Sequence, residues 1–300
     1  MKLIECVPNF SEGRRKEVIE AIIDEARKFN VKILDYSPDA DHNRTDVTFI
    51  GEPEEVKKAA LAMSMKAVEL IDMNKHKGEH PRMGAMDVVP FIPLMETTME
   101  ECIELAKQFA SEFSEKAGVP CYLYEEAATR PDRKNLANVR RGEFEGLKEE
   151  IGKNDDKRPD FGPNHIHPTA GATAVGARFF LIAFNVNLST DDISIAKSIA
   201  KAVRHSSGGY RYVKAMGFEI KERGIVQVSM NMVNYKGTPL FRVFETIKRE
   251  AERYGVSIVG SEIVGLIPME ALIDVADFYL RLENFDENQV LEKRLLEQIK

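Results

Sequence analysis

The sequence predicts an α+β fold: two ferredoxin-like (βαββαβ-type) α/β subdomains with a substrate cleft between them. Three observations lead there. Segments with strand and helix periods follow the order β-α-β-β-α-β in the first half. The same order returns in the second half without any residue-level repeat. A stretch rich in glycine and proline, Ile151–Arg178, separates the two. We place the boundary near Arg178, giving subdomains 1–178 and 179–300, and a crevice between two such halves is a natural ligand site.

In the first half, Leu3–Val7 reads as a strand. Ile19, Ile22, Ile23 and Ala26 recur at helical spacing, which predicts a helix over Ser11–Phe29 with Ser11 as its cap. Strands Val31–Asp35 and Arg44–Ile50 follow, joined by the polar turn SPDADHN. Pro53 with Glu54 and Glu55 starts a second helix, running to Ile71. Strand Val88–Pro93, helix Thr98–Ala117 and strand Pro120–Tyr124 complete this half. The stretch up to Arg178 reads as a functional loop or flexible crossover, its glycines leaving bare backbone to lie against a planar ligand.

In the second half, strand Phe180–Asn187 and helix Asp191–Arg204 precede a hairpin pairing Tyr210–Glu219 with Ile225–Val233. Helix Pro239–Tyr254 and strand Val256–Val264 close the pattern, and helices over Pro268–Leu282 and Asn284–Lys300 end the chain. Two strands are two-faced. Val226, Val228, Met230 and Met232 oppose Gln227, Ser229 and Asn231, while Phe180, Ile182, Phe184 and Val186 oppose Asn185 and Asn187. Short amides and hydroxyls, in place of Lys and Glu, point to either an open polar sheet face or a covered one that bonds a ligand.

Composition narrows the function. A net charge of −7 argues against nonspecific nucleic-acid or membrane-surface binding, which favour basic faces. No segment approaches the roughly 18 apolar residues of a membrane span. The N-terminal MKLIECVPNFSEG is too short in apolar core for a signal peptide, so a cytoplasmic protein is expected. Cys6, Cys102 and Cys121 lack both disulfide and metal-ligand spacing, and read as buried thiols.

The chemistry concentrates in Asp72–Pro90, DMNKHKGEHPRMGAMDVVP. His76 and His80 sit four apart among Lys75, Lys77, Glu79 and Arg82, between a helix pattern and a strand pattern. A zinc-protease motif needs Glu after the first histidine, where Lys77 stands, and Gly78 and Pro81 interrupt a helix. No metal is expected, although His76, His80, His165 and His167 are the set that a metal-dependent hydrolase would use. Proton transfer fits better: an imidazole both takes and gives a proton near neutral pH. Asp87 is a carboxylate placed to orient His80, and Lys75, Lys77 and Arg82 are cations able to hold a carboxylate substrate. Gly171 and Gly176 lack dinucleotide-motif spacing.

Several segments together resemble a known family. ECVPNFSEG (Glu5–Gly13), NRT (Asn43–Thr45), HKGEHPRMGAMDVVPFIP (His76–Pro93), DFGP (Asp160–Pro163), GATAVGAR (Gly171–Arg178) and FLIAFNVNL (Phe180–Leu188) are similar to glutamate formimidoyltransferase, the transferase part of vertebrate formimidoyltransferase-cyclodeaminase. The resemblance runs to about Asn284, and no cyclodeaminase part follows. It implies a homodimer that moves a formimidoyl group between N-formimidoyl-L-glutamate and tetrahydrofolate in histidine degradation. Tetrahydrofolate is then a co-substrate, and no metal is required.

The family's catalytic histidine falls on His80. Its folate loop falls on Gly162, Pro163, Asn164, His165, Ile166, His167, Pro168, Thr169, Ala170 and Gly171, where the internal residues differ from the vertebrate form. A family aspartate aligns with Ser37, leaving Asp35, Asp39 and Asp41 as neighbouring substitutes. Arg44 and Arg82 are expected to grip glutamate carboxylates, and Asn187, on the two-faced strand, to meet the folate. Formyl transfer from 5-formyltetrahydrofolate and noncatalytic folate binding are the alternatives.

Overall fold

The computed structural model describes residues 2–79 and 81–299. The chain divides into two compact units, Met1–Phe179 and Phe180–Lys300. In order, the first carries β1 (Leu3–Cys6), β2 (Asn9–Phe10), α1 (Lys16–Arg27), β3 (Val31–Asp39), β4 (Arg44–Gly51), α2 (Pro53–Leu70), β5 (Met86–Met95), α3 (Met99–Ala117), β6 (Cys121–Glu125), α4 (Leu136–Val139), α5 (Glu143–Glu150) and β7 (Thr173–Ala177). The second carries β8 (Ile182–Leu188), α6 (Ile193–Val203), β9 (Val213–Ile220), β10 (Ile225–Met232), α7 (Leu240–Arg253), β11 (Ile258–Val264), α8 (Met269–Leu280) and α9 (Leu291–Ile299).

Both units contain the split β-α-β order. In the second, β11-β8-β10-β9 lie side by side, antiparallel throughout. In the first, β3-β4-β1-β5 repeats that arrangement, with β2 continuing the lane of β1 between β4 and β5. The first sheet then grows to seven strands, because β7 inserts between β5 and β6 and runs parallel to both.

This corrects the reading of Ile151–Arg178 as a structureless crossover. Every residue of β7 is buried. A parallel strand covered on both faces shows no period-two alternation, so Thr-Ala-Val-Gly-Ala carries no strand signature in its pattern. Gly176 is required there: a Cβ at this position would lie 2.5 Å from the ring of Tyr124.

Helices α1, α2 and α3 cover one face of the first sheet, over a core that includes Phe49, Phe91, Phe109 and Phe113. Part of the other face is covered by α4 and α5, through Val139 and Leu147 against Tyr122, Tyr124 and Val88. Helix ends follow local chemistry. Thr98 and Glu101 form a capping box on α3, and Gly118, at φ 67°, ends it. Helix α1 begins at Lys16, and Ser11 is not its cap: its hydroxyl donates to Gly84 O at 2.8 Å, while the Glu12 carboxylate accepts from the Arg14 and Arg15 N–H groups. The three cysteines are free and buried. Among the described residues no helix is long and apolar enough to cross a membrane.

Candidate active site

The segment between α2 and β5 is held at both ends by hydrogen bonds to backbone carbonyls of the 168–171 turn. Met73 N–H donates to Thr169 O at 2.7 Å, Asn74 Nδ2 to Pro168 O at 2.8 Å, and Ala85 N–H to Ala170 O at 2.8 Å. Gly84 lies so close to the neighbouring chain that a Cβ would sit 2.0 Å from Ala172 O. Two segments 90 residues apart in sequence, about the length of a small domain, are thereby locked into one loop cluster.

His76 sits inside this cluster with both ring nitrogens engaged. Its Nε2 lies 2.8 Å from Asn43 O, which can only accept, and its Nδ1 lies 3.3 Å from Arg82 Nε, which can only donate. The imidazole is therefore neutral, with its proton on Nε2. Burial holds it below its ordinary value near 6.5, and the Arg82 charge acts in the same direction against the opposing Asn43 bond.

Arg82 is buried, and its guanidinium bonds Glu143 at 2.8 Å and Glu145 at 2.7 and 2.8 Å through its two Nη atoms. Its carbonyl accepts the Phe144 N–H at 3.0 Å. The start of α5 thus clasps Arg82 through both side chain and backbone. Asp87 is also buried. One carboxyl oxygen accepts the Met83 N–H at 2.8 Å and the other pairs with Arg140. His80 lies outside the described residues.

Asn43, at φ 50°, joins three elements. Its Oδ1 accepts from Gly13 N–H at 3.0 Å, its Nδ2 donates to Lys77 O at 3.0 Å, and its carbonyl meets His76. Asparagine is among the few non-glycine residues that tolerate this backbone region. Asp39 binds the Asp41 and His42 N–H groups and the His42 ring, closing the turn before Asn43. Asp41 O accepts the Glu79 N–H at 3.4 Å, so this turn backs the histidine loop. Ser37 is exposed on β3, opposite Asp46.

Within Gly162–Gly171, the two ends have positive φ, 87° at Gly162 and 73° at Gly171. Gly162, Asn164, His165 and Pro168 are exposed, Pro163, Ile166, His167 and Thr169 are half-buried, and Ala170 and Gly171 are buried. His167 Nδ1 accepts from Ala170 N–H at 2.9 Å and Thr169 N–H at 3.3 Å, while His165 Nδ1 lies 3.4 Å from Ile166 O. Burial keeps His167 below its ordinary value, with His165 adding to the effect. Just upstream, half-buried Asp160 accepts from Arg133 at 2.6 Å and Leu123 N–H at 2.8 Å, and bonds Thr129. Arg133 in turn donates to Arg158 O at 2.5 Å, which sets the path into the loop.

Arg44 pairs with Asp46 at 3.1 Å on β4. Asn187, in the second unit, is buried and accepts from Gln227 Nε2 at 2.9 Å. The loop cluster therefore unites Arg82 with the 168–171 end of the Gly162–Gly171 segment. It borders a cavity of about 340 Å³ lined by Ser11, Arg14, Arg15, Asn43, Lys75 and His76, among others, which is within the range of small-molecule sites. In it, burial pushes the Glu12 carboxyl up, but the Arg15 and Arg14 N–H bonds and the Arg15 side chain outweigh that and leave it below its ordinary range.

The sequence does not single out Asn43, Asp160 or Arg140 as candidates. The signal for the first two was present in the short segments NRT and DFGP. Nothing near Arg140 announces its pairing with Asp87, 53 residues away, because the adjacent Arg140 and Arg141 read as solvated charges.

Residues 3–178 match the formiminotransferase domain, N-terminal subdomain, and residues 183–297 match the formiminotransferase domain. The chain is 53% identical to glutamate formimidoyltransferase of Streptococcus pyogenes serotype M1, covering 98% of this chain and 99% of that protein. It is 49% identical to glutamate formimidoyltransferase of Thermoplasma acidophilum over 98% of both chains. It is 45% identical to formimidoyltransferase-cyclodeaminase of Dictyostelium discoideum, covering 98% of this chain and 56% of that longer protein.

Proposed function

This chain belongs to the formiminotransferase family, and we propose that it is a glutamate formimidoyltransferase in histidine degradation, moving a formimidoyl group between N-formimidoyl-L-glutamate and tetrahydrofolate. The observation that carries this reading is similarity over nearly the full length of two glutamate formimidoyltransferases.

The chemistry asks little beyond proton transfer and positioning. A nucleophilic nitrogen of tetrahydrofolate attacks the electron-poor formimidoyl carbon, giving a tetrahedral intermediate, and the glutamate amine departs. His80 takes the proton shed by the attacking nitrogen and returns it to the leaving one, a shuttle worth about 10²–10⁴-fold. His76 is not available for that role, because its two nitrogens are held by Asn43 and Arg82. It positions the loop on which His80 lies. Holding both substrates together supplies much of the remaining rate.

Folate is assigned to Gly162–Gly171, whose exposed residues leave backbone and rings for a flat ligand. Arg82 grips a substrate carboxylate only by releasing part of its clasp on Glu143 and Glu145, and Arg44 only by competing with Asp46. Asn187 is assigned to the folate through the amide that Gln227 orients. A homodimer and a cytoplasmic location complete the reading. Sedimentation of the purified protein tests the first and cell fractionation the second.

The deciding experiment mixes the protein with N-formimidoyl-L-glutamate and tetrahydrofolate and follows the folate product by absorbance. Turnover is expected, with His80→Ala abolishing it while folate affinity stays within about threefold. Absence of turnover together with absence of folate binding by calorimetry defeats the reading. Faster turnover with 5-formyltetrahydrofolate and glutamate moves it to formyl transfer.

A further inference from the structure

Glu5 is a buried carboxyl that neither the histidine loop nor the folate loop accounts for. Its neighbours on β1, Ile4 and Cys6, belong to the core under α1–α3, so strand alternation turns Glu5 to the opposite face. There it lies between Ile50 on β4 and Ile92 on β5. Glu5 is only 4% exposed, and no hydrogen bond or ion pair joins its carboxylate to any described residue. Among the described residues the one fully buried side-chain nitrogen or oxygen without a partner is Arg140 Nε. The unbonded Glu5 oxygens therefore keep a sliver of accessible surface.

Arg178 is the charge that Glu5 feels. Burial drives the Glu5 carboxyl up to about 7, and the Arg178 charge draws it back down. Arg178 leaves the end of β7 with its N–H on Phe91 O at 3.1 Å, and Tyr124 interacts with both Arg178 and Arg140. Arg140 pairs with Asp87, which holds Met83 N–H at the exit of the histidine loop. A polar path thus runs across this face from that loop toward Glu5, and Arg178, whose Nη1 donates to Phe179 O at 3.0 Å, acts on the Glu5 carboxylate through its charge. A buried charge without its counter-charge costs several kcal/mol in general. Such an arrangement makes physical sense where a ligand carrying both charges completes it.

An N-formimidoyl amino acid is such a ligand. Its formamidine is protonated near neutral pH, planar, and matches a carboxylate as guanidinium does, and its other end is anionic. We propose that Glu5 and Arg178 form the subsite for the amino-acid half of the donor. The Glu5 carboxylate pairs with the formamidinium, and Arg178 with a glutamate carboxylate. The assignment rests on the transferase reading above and deepens it. By keeping the amidinium protonated, Glu5 would hold the formimidoyl carbon electron-poor.

The test is calorimetry with N-formimidoyl-L-glutamate and with N-formyl-L-glutamate, which keeps both carboxylates but replaces the cation with a neutral amide. The wild type is expected to prefer the formimidoyl compound by about tenfold or more, Glu5→Asp to retain that preference, and Glu5→Gln to bring the two within about threefold. Arg178→Gln is expected to weaken both ligands together by about tenfold, with tetrahydrofolate affinity within about twofold in every variant. A Glu5→Gln protein that keeps the preference, or an Arg178→Gln protein that binds both as the wild type does, overturns the subsite. If Glu5→Gln does not fold, the Arg178→Gln titration decides. Wild-type protein that turns over neither substrate pair defeats the transferase reading itself, whereas turnover with the preference unmoved in Glu5→Gln defeats only the subsite.

Discussion

Arg82 donates its Nε–H to Nδ1 of His76 at 3.3 Å, and an arginine has nothing but protons to offer. The bond is possible only while His76 is neutral with its proton on Nε2. Protonating Nδ1 would turn the contact into two donors and two positive charges face to face. His76 is therefore expected to titrate below pH 6.5, the direction in which burial and Arg82 both push it. In Arg82→Met the added charge disappears and Glu143 and Glu145 lose their counter-ion, so the midpoint moves up. Nitrogen chemical shifts of the labelled imidazole read both the tautomer and the midpoint. A wild-type midpoint above 6.5 contradicts the assignment.

Gly84 and Gly171 stitch the histidine loop to the 162–171 loop, and each carries a separate prohibition. A Cβ at Gly84 would meet Ala172 O at 2.0 Å, and one at Gly171 would meet Met83 O at 2.2 Å from a backbone already at φ 73°. The atoms in the way are backbone and cannot swing aside. Gly84→Ala and Gly171→Ala are each expected to cost about 2 kcal/mol or more in denaturant unfolding. Turnover is expected to fall further than stability alone explains, because the loop cluster is displaced. A variant with wild-type stability and activity would mean that this approach is not needed.

The elements legible in the sequence are those with a helical stripe, a period-two alternation, or a run of β-branched and aromatic residues bounded by turn residues. The stripe Ile19, Ile22, Ile23 and Ala26 found α1, and the alternation of Val226, Val228, Met230 and Met232 found β10 with its buried side correct. The βαββαβ order of both halves followed from such elements. What the pattern hid was β7, whose two faces are both covered, and the start of α1, where Glu12 does from within the turn what Ser11 was expected to do. At the site, residue types pointed to the histidine loop because imidazole, lysine and arginine beside glycine and proline have few structural uses. The partners stayed hidden because they are distant in sequence: Glu143 and Glu145 clasp Arg82 from more than 60 positions away, and no local spacing encodes that. For Arg82, sequence proximity suggested a substrate grip, while the fold gives its guanidinium internal partners.

Asp160 offers a test of how the 162–171 loop, to which folate is assigned above, is held. It and Arg133 are 9% and 5% exposed at their side chains and bond at 2.6 Å. Leu123 N–H and Thr129 occupy the other positions on the carboxylate. Asp160→Asn keeps the shape but removes the charge, leaving Arg133 buried without a counter-ion. Breaking such a pair from one side costs about 3–5 kcal/mol. In protein kept folded by a low working temperature, KM for tetrahydrofolate is expected to rise while KM for N-formimidoyl-L-glutamate holds. An equal rise in both would separate Asp160 from the folate loop.

Glu5 makes a prediction of opposite sign, because its pKa is raised rather than lowered. Below its ordinary 4.5 the carboxyl is neutral in folded and unfolded chains alike, and burial carries no charge penalty. Between 4.5 and about 7 the unfolded chain releases the proton while the folded protein retains it, so stability falls as pH rises. Above 7 the loss is complete. Glu5→Gln is a permanent mimic of the neutral form and is expected to be more stable than wild type at pH 8, by on the order of 3 kcal/mol at about 1.4 kcal/mol per pH unit of displacement. The two proteins should be alike at pH 4. Paired denaturant titrations at the two pH values isolate the effect, since contributions from distant groups cancel in the difference. Stability gained at pH 8 together with a lost preference for the formimidoyl ligand would mark Glu5 as a residue kept for function at the fold's expense. A Glu5→Gln protein less stable than wild type at pH 8 would instead make the carboxylate a structural partner of Arg178.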